Sequence, residues 1–230
     1  MEIKMARLVY DNPFPPFAFE EKGKARGVCI EILSEILIRA HLQATFIPAP
    51  MQQIQSLLHS READGIVFYA VTPERQLLFD FSDPIIVTGA ALFSKSPGPP
   101  IPGLRECKNK SIVTPNTGPL REYIRKESPK AKLLLVQDYL EALKAVLEGK
   151  ADIAALNIHV GRYLIDHLFN GLFALPEKVF LEVPLTVAVL KGNDPSLLSR
   201  INEGLSRLRV EGTYQRIVEK WLPATAASRL

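Results

Sequence analysis

No stretch of these 230 residues approaches the roughly 20 consecutive apolar positions that a membrane-spanning helix needs. The opening MEIKMARLVY also lacks the long apolar core of a secretory signal, so an export signal or anchor is expected outside these residues. Cysteine is scarce. The two present, Cys29 and Cys107, have neither CxxC spacing nor an evident reason to be neighbours, and they leave the redox compartment open. Cys29 lies in an apolar helical pattern and reads as a small core residue, whereas Cys107 reads as part of a polar loop. There is no run of five like charges, and no basic stripe is threaded with aromatic residues. The net charge of +3 is spread along the chain, which argues against nucleic acid as a partner. GxSxG, HExxH and phosphate-cradling glycine loops are all missing. His41, His59, His159 and His167 show no metal-ligand spacing. Neither a metal nor a cofactor is expected, and binding without catalysis is the expectation.

What is present is an ordinary globular composition, 47% hydrophobic and 23% charged, enough to bury one large core or two moderate ones. Strand-like runs at 6–10, 44–47 and 65–68 alternate with helical periodicity at 28–40 and 51–60, and FAFE with EKGKARG reads as a hairpin. The apolar run 89–93 leads into KSPGPPIPG, the chain's richest proline and glycine stretch. Beyond it the alternation restarts. Strands are expected at 111–113, 133–136, 153–156, 179–183 and 185–190, with helices at 119–126, 139–148, 160–169, 197–209 and 214–222. The tail PATAASRL reads as a cut linker or a free end.

This rhythm predicts two α/β units, the second inserted in the first: residues 1–93 with 185–230 as one lobe and 94–184 as the other. Two crossings, at Ser94 and near Pro184, imply a hinge with a ligand cleft between the lobes. Ligands of open α/β sheets sit beyond the carboxyl ends of the strands. The loops of interest therefore carry Asp11 and Phe14, then Tyr69, Ala70 and Arg75, then Asn116, Thr117 and Gly118, then Asn157 and His159.

PPFAFE with Gly27, ADGIVFYAVTPER, FSDPI, the NTG turn, LEGKADIAALN and the closing DPSLLSRINEGLSRLRVEGTYQRIVEKWL follow one another from Leu8 to Leu222. In this order and spacing the chain closely resembles the family 3 bacterial extracellular solute-binding proteins, the polar amino-acid receptors of ABC importers. The resemblance implies a type II periplasmic binding fold, a monomer in an extracytoplasmic location, an amino acid or small carboxylate as ligand, and a permease as partner.

It also implies that Arg75 pairs with a ligand carboxylate through its planar guanidinium fork; read alone, Arg75 is better taken as a solvated arginine in a turn capped by Thr72 with Pro73 following. The turn Asn116–Thr117–Gly118 would meet the same carboxylate with backbone N–H groups at a helix start, or would serve as a simple cap. Phe14 stands where relatives often place an aromatic residue against the ligand, although of Phe14, Phe17 and Phe19 at least one must be core.

The chain departs from the family at two places. Where most amino-acid receptors of the family carry an aspartate that holds the ligand ammonium, this chain has Asn157, so either Asp11 supplies the charge or the ligand lacks a standard α-amine. The segment IVFYAVTPER is one residue shorter than usual and carries bulky Phe68 and Tyr69 where a glycine and a small hydroxyl residue are common. A more aromatic pocket is expected, with Tyr69 at its wall or in the core. Two other readings are open: the sensor domain of a histidine kinase or related receptor, which would make a signalling module the partner, and a cyclohexadienyl-dehydratase-like enzyme using Glu20 or Asp11 as acid.

Overall fold

In a computed structural model, which describes residues 5–101 and 103–222, the chain divides into two units, residues 5–87 with 184–222 and residues 88–183. The tail PATAASRL lies outside the described residues.

The first unit begins with strand β1 (Ala6–Asp11), a hairpin of β2 (Phe19–Glu21) and β3 (Lys24–Arg26), helix α1 (Val28–Arg39) and strand β4 (Ala44–Ala49). It continues through helix α2 (Met51–His59), strand β5 (Gly65–Ala70), the short helix α3 (Pro73–Gln76) and strand β6 (Phe79–Phe81). The chain leaves this unit within β7 (Ile86–Lys95) and returns within β12 (Leu181–Leu190). It closes with helices α7 (Pro195–Val210) and α8 (Thr213–Trp221). β1 lies between β4 and β5 in parallel register, and β12 runs antiparallel to β5 and β6.

The second unit holds β8 (Ser111–Pro115), α4 (Leu120–Glu127), β9 (Lys132–Val136), α5 (Tyr139–Leu147), β10 (Ile153–Asn157), α6 (Ile158–Leu168) and β11 (Phe173–Ala174). Its strands lie in the order β7, β10, β8, β9, with β8 parallel to both neighbours and β7 antiparallel to β10. Alternate residues feed two separate cores. Ala91, Phe93, Ala154 and Leu156 pack with Leu143 and Val146 of α5 and Ile165 of α6. Ala90, Leu92, Ile153 and Ala155 pack on the other face with Leu120 and Ile124 of α4 and with Cys107. Burial on both faces is why these strands read as unbroken apolar runs.

β7 extends beyond the expected run 89–93 at both ends, where half-exposed positions blur the apolar signal. β12 is a single strand that passes through Pro184, where two strands were expected. Cys107 corrects a sequence expectation: it is fully buried at the end of a 3-10 turn, Leu104–Cys107, because Leu104 and Cys107, three apart, face the same core. Cys29 is fully buried, as expected.

Each unit carries its own brace at the amino ends of its central strands. In the first, Asp64 accepts from the Arg7 backbone N–H at 2.9 Å and from the Arg7 guanidinium at 3.0 and 3.1 Å, while the Asp64 N–H donates to the Arg7 carbonyl. In the second, Asp152 accepts from the Ser111 N–H and hydroxyl, both at 2.7 Å, and its own N–H donates to the Ser111 carbonyl. These bonds, above all the one from the Ser111 N–H, hold the Asp152 carboxyl below its ordinary pKa.

Helices α1 and α7 approach closely at Gly204, where a Cβ would stand 2.7 Å from the Ile36 carbonyl oxygen and 3.0 Å from its Cγ2. Gly204→Ala is expected to push the two helices apart and cost about 1–3 kcal/mol, read as a fall in thermal midpoint. An unchanged midpoint would show that the contact yields without cost.

Candidate ligand-binding site

The carboxyl end of β5 contains the one irregularity in its pairing with β12. Thr186 lies opposite Tyr69 and Val187 opposite Val67, so Phe68 is an extra residue, a bulge. Its φ of 61° is in the left-handed region that a bulge of this kind normally assigns to glycine. For a bulky residue this conformation costs about 1–2 kcal/mol. The Phe68 ring is only 4% exposed, and burying it stabilises by about 1.5–3 kcal/mol, which offsets the strain.

The bulge changes which way the next residue faces. In an unbroken strand Ile66 and Tyr69 would point to opposite faces. Here Tyr69 joins Val9, Ile66 and Ala188 in one core beneath α2. Its hydroxyl accepts from Gln55 Nε2 of α2 at 2.7 Å, and Thr186 Oγ1 donates to its carbonyl at 2.8 Å. The Arg75 guanidinium carbon stands 3.7 Å from the centroid of the Tyr69 ring, and Arg75 Nη1 donates to the Ala70 carbonyl at 2.8 Å. Thr72 caps α3 through a 3.3 Å bond from the Arg75 N–H, with Pro73 next, as the TPER spacing predicts. Bulge, cap and aromatic platform together fix the plane of the guanidinium at the end of β5.

Asp11 ends β1, the parallel neighbour of β5. Burial pushes the Asp11 carboxyl up to about 7, opposed in part by the Met51 N–H at the start of α2. Phe14, in the turn after β1, is 7% exposed and stacks on the fully buried Phe17 at 5.0 Å.

In the second unit, continuing the β8–β10 register from Ile112↔Ile153 and Ala154↔Val113 places Asn157 level with Asn116. The Asn116 N–H donates to Val136 at 2.8 Å, whereas the N–H groups of Thr117 and Gly118 have no partner among the described residues. Gly118 has φ 89°, a conformation glycine adopts without strain.

Asn157 caps α6: its Oδ1 accepts from the N–H of His159 at 3.0 Å and of Val160 at 3.4 Å, and a third bond comes from Thr88 Oγ1 at 3.4 Å. His159, in the first turn, is neutral, since burial and the nearby Arg162 charge bring its pKa down to about 4. The capping duty of Asn157 and the roles of Thr88, Gln55 and Thr186 escape sequence reasoning. Among the described residues no group of three or more His, Cys, Asp or Glu could hold a metal, and no helix is long and apolar enough to cross a membrane.

Each unit thus gathers polar groups at the carboxyl ends of parallel strands, the arrangement of a small-molecule receptor built on α/β sheets. Comparison with known proteins agrees. Residues 6–224 match the family described as bacterial extracellular solute-binding proteins, family 3, and the chain belongs to that family. It is 26% identical over 205 residues to the ABC transporter glutamine-binding protein GlnH of Bacillus subtilis (strain 168), covering 87% of this chain and 74% of that one. It is 23% identical over 217 residues to the L-cystine-binding protein TcyJ of Escherichia coli (strain K12), covering 93% and 81%.

Among solved structures, an ancestral arginine-binding protein bound to glutamine superposes with a TM-score of 0.82 at 26% identity, covering 96% of this chain and 98% of that one. A histidine kinase sensor domain with similarity to periplasmic binding proteins gives 0.85 at 25% identity, covering 96% of each. The fold is that of the type II periplasmic binding proteins.

The Asp11 environment yields a stability test. A carboxyl with a raised folded-state pKa adds stability below its unfolded value near 3.9 and loses it as pH rises through about 7. Between pH 5 and 8.5 the wild type should lose more unfolding free energy than Asp11→Asn, by about 2–3 kcal/mol, measured by urea titration. Parallel pH profiles would show that Asp11 ionises normally.

Proposed function

We propose that this chain is an extracytoplasmic receptor that captures an amino acid or a related small carboxylate and presents it to an ABC-transporter permease. The observation that carries the reading is Arg75, whose guanidinium is held in a fixed plane by Tyr69 and Ala70 at the carboxyl end of β5. A planar fork held in place donates two parallel charge-assisted hydrogen bonds to a carboxylate with little further loss of side-chain freedom. The N–H groups of Thr117 and Gly118 and the Thr117 hydroxyl are proposed as carboxylate donors in the second unit. Phe14 is proposed as an aromatic wall, Tyr69 as the platform that orients Arg75, and Asn116 and Asn157 as polar contacts. Relatives named for glutamine and cystine binding support this ligand class.

In this reading the ligand favours whichever arrangement of the two units engages more donors, so occupancy shifts a hinge equilibrium. A micromolar dissociation constant corresponds to about −8 kcal/mol, within reach of one bidentate pair, several amide bonds and some apolar burial. The similarity to a histidine kinase sensor domain favours a second reading, in which the same capture event drives a signalling module. No catalytic role is proposed for Asp11 or Glu20.

Calorimetry and thermal shift against the amino acids and small carboxylates test the proposal. The wild type should bind at least one of them, and Arg75→Ala should weaken that binding at least about 100-fold with its far-UV spectrum intact. Arg75→Lys should fall between, since an ammonium keeps the charge but not the fork. Equal affinity in Arg75→Ala would overturn the carboxylate role.

A further inference from the structure

Asn157 offers a ligand a donor, not an acceptor. Its Oδ1 faces the His159 and Val160 N–H groups, which only an oxygen can accept, so the orientation of the amide is fixed by its partners. The Thr88 hydroxyl is a third donor to the same oxygen. Asn157 is 7% exposed, yet its Nδ2 makes no hydrogen bond among the described residues and is not one of the side-chain atoms sealed from solvent without a partner. What the end of β10 presents is therefore an N–H pair.

The surroundings carry the same sign. Asn157 opens α6, whose first-turn N–H groups form the positive end of an eleven-residue helix. Arg162 lies on the same helix one turn on, and His159 contributes no negative charge. Among nearby carboxylates, Asp138 follows β9, two strands from β10 and so on the order of 10 Å away, and it is engaged as the cap of α5 at 2.8 Å from the Glu141 N–H. Asp152 sits at the opposite end of β10, tied to Ser111. An ammonium placed at Asn157 would meet donors and the positive end of α6, and Asp138 and Asp152 are each engaged elsewhere.

Building on the carboxylate reading above, we infer that the group a ligand presents to Asn157 Nδ2 is a hydrogen-bond acceptor and not an ammonium, so that the preferred class is α-keto or α-hydroxy acids rather than α-amino acids.

The test uses matched sets that differ only at the α-substituent: alanine, lactate and pyruvate; glutamate, 2-hydroxyglutarate and 2-oxoglutarate; phenylalanine, phenyllactate and phenylpyruvate. Each is titrated into the wild type and Asn157→Asp by calorimetry. Aspartate caps a helix as well as asparagine does, so the variant should fold, which its thermal midpoint checks. In the wild type an amine-free member of at least one set should bind at least about tenfold more tightly than its amino acid, and Asn157→Asp should reverse that order.

An amino acid that binds the wild type as tightly as its keto and hydroxy partners would overturn the inference while leaving the carboxylate reading in place. Loss of that binding in Asp11→Asn would then locate the ammonium at Asp11. Failure of every probe with both proteins, against a wider panel of carboxylates as well, would overturn the carboxylate reading and the inference together.

Discussion

One residue in the left-handed region governs the most distinctive part of this molecule. Because Phe68 occupies a bulge, Tyr69 turns to the face of the sheet that α2 covers, and the ring becomes a platform for Arg75. Without the bulge, the alternation of the strand would send the Tyr69 ring to the other face, and Arg75 would lose its aromatic platform. A strain of about 1–2 kcal/mol is thus converted into the orientation of a charged group. The ring of Phe68, buried in the core, holds that strain in place.

The same economy appears at a helix start. One candidate contact, Asn157, is also the cap of α6. A cap consumes acceptor capacity, so a side chain with this double role shows a ligand only what remains. For Asn157 the remainder is a donor. Asp11, by contrast, is a carboxyl whose pKa burial raises to about 7. Helix formation therefore constrains recognition chemistry through single atoms.

Much of this architecture was legible in the sequence. Apolar runs bounded by proline, glycine and polar residues gave the parallel strands, and TPER gave a capped turn that the structure reproduces at Thr72 and Pro73. The family's motifs brought the candidate residues into view. What remained hidden depends on long-range pairing. A bulge is visible only once β12 lies beside β5, since Phe68 has the composition of an ordinary strand residue. The commitment of Asn157 Oδ1 needs Thr88, 69 positions away. Cys107 looked like loop because its core partners Ile112 and Ile153 are not adjacent to it in the chain.

The paired aspartate braces, Asp64 on Arg7 and Asp152 on Ser111, lie at the amino ends of strands whose carboxyl ends carry the candidate binding residues. Register is locked at one end and chemistry is displayed at the other. A change of loop residue therefore leaves the alignment of the strands alone, and a lineage built on this plan can exchange one ligand for another by rewriting a few positions at one edge of each sheet. The β5–α3 segment and the asparagine at the end of β10 are positions of that kind.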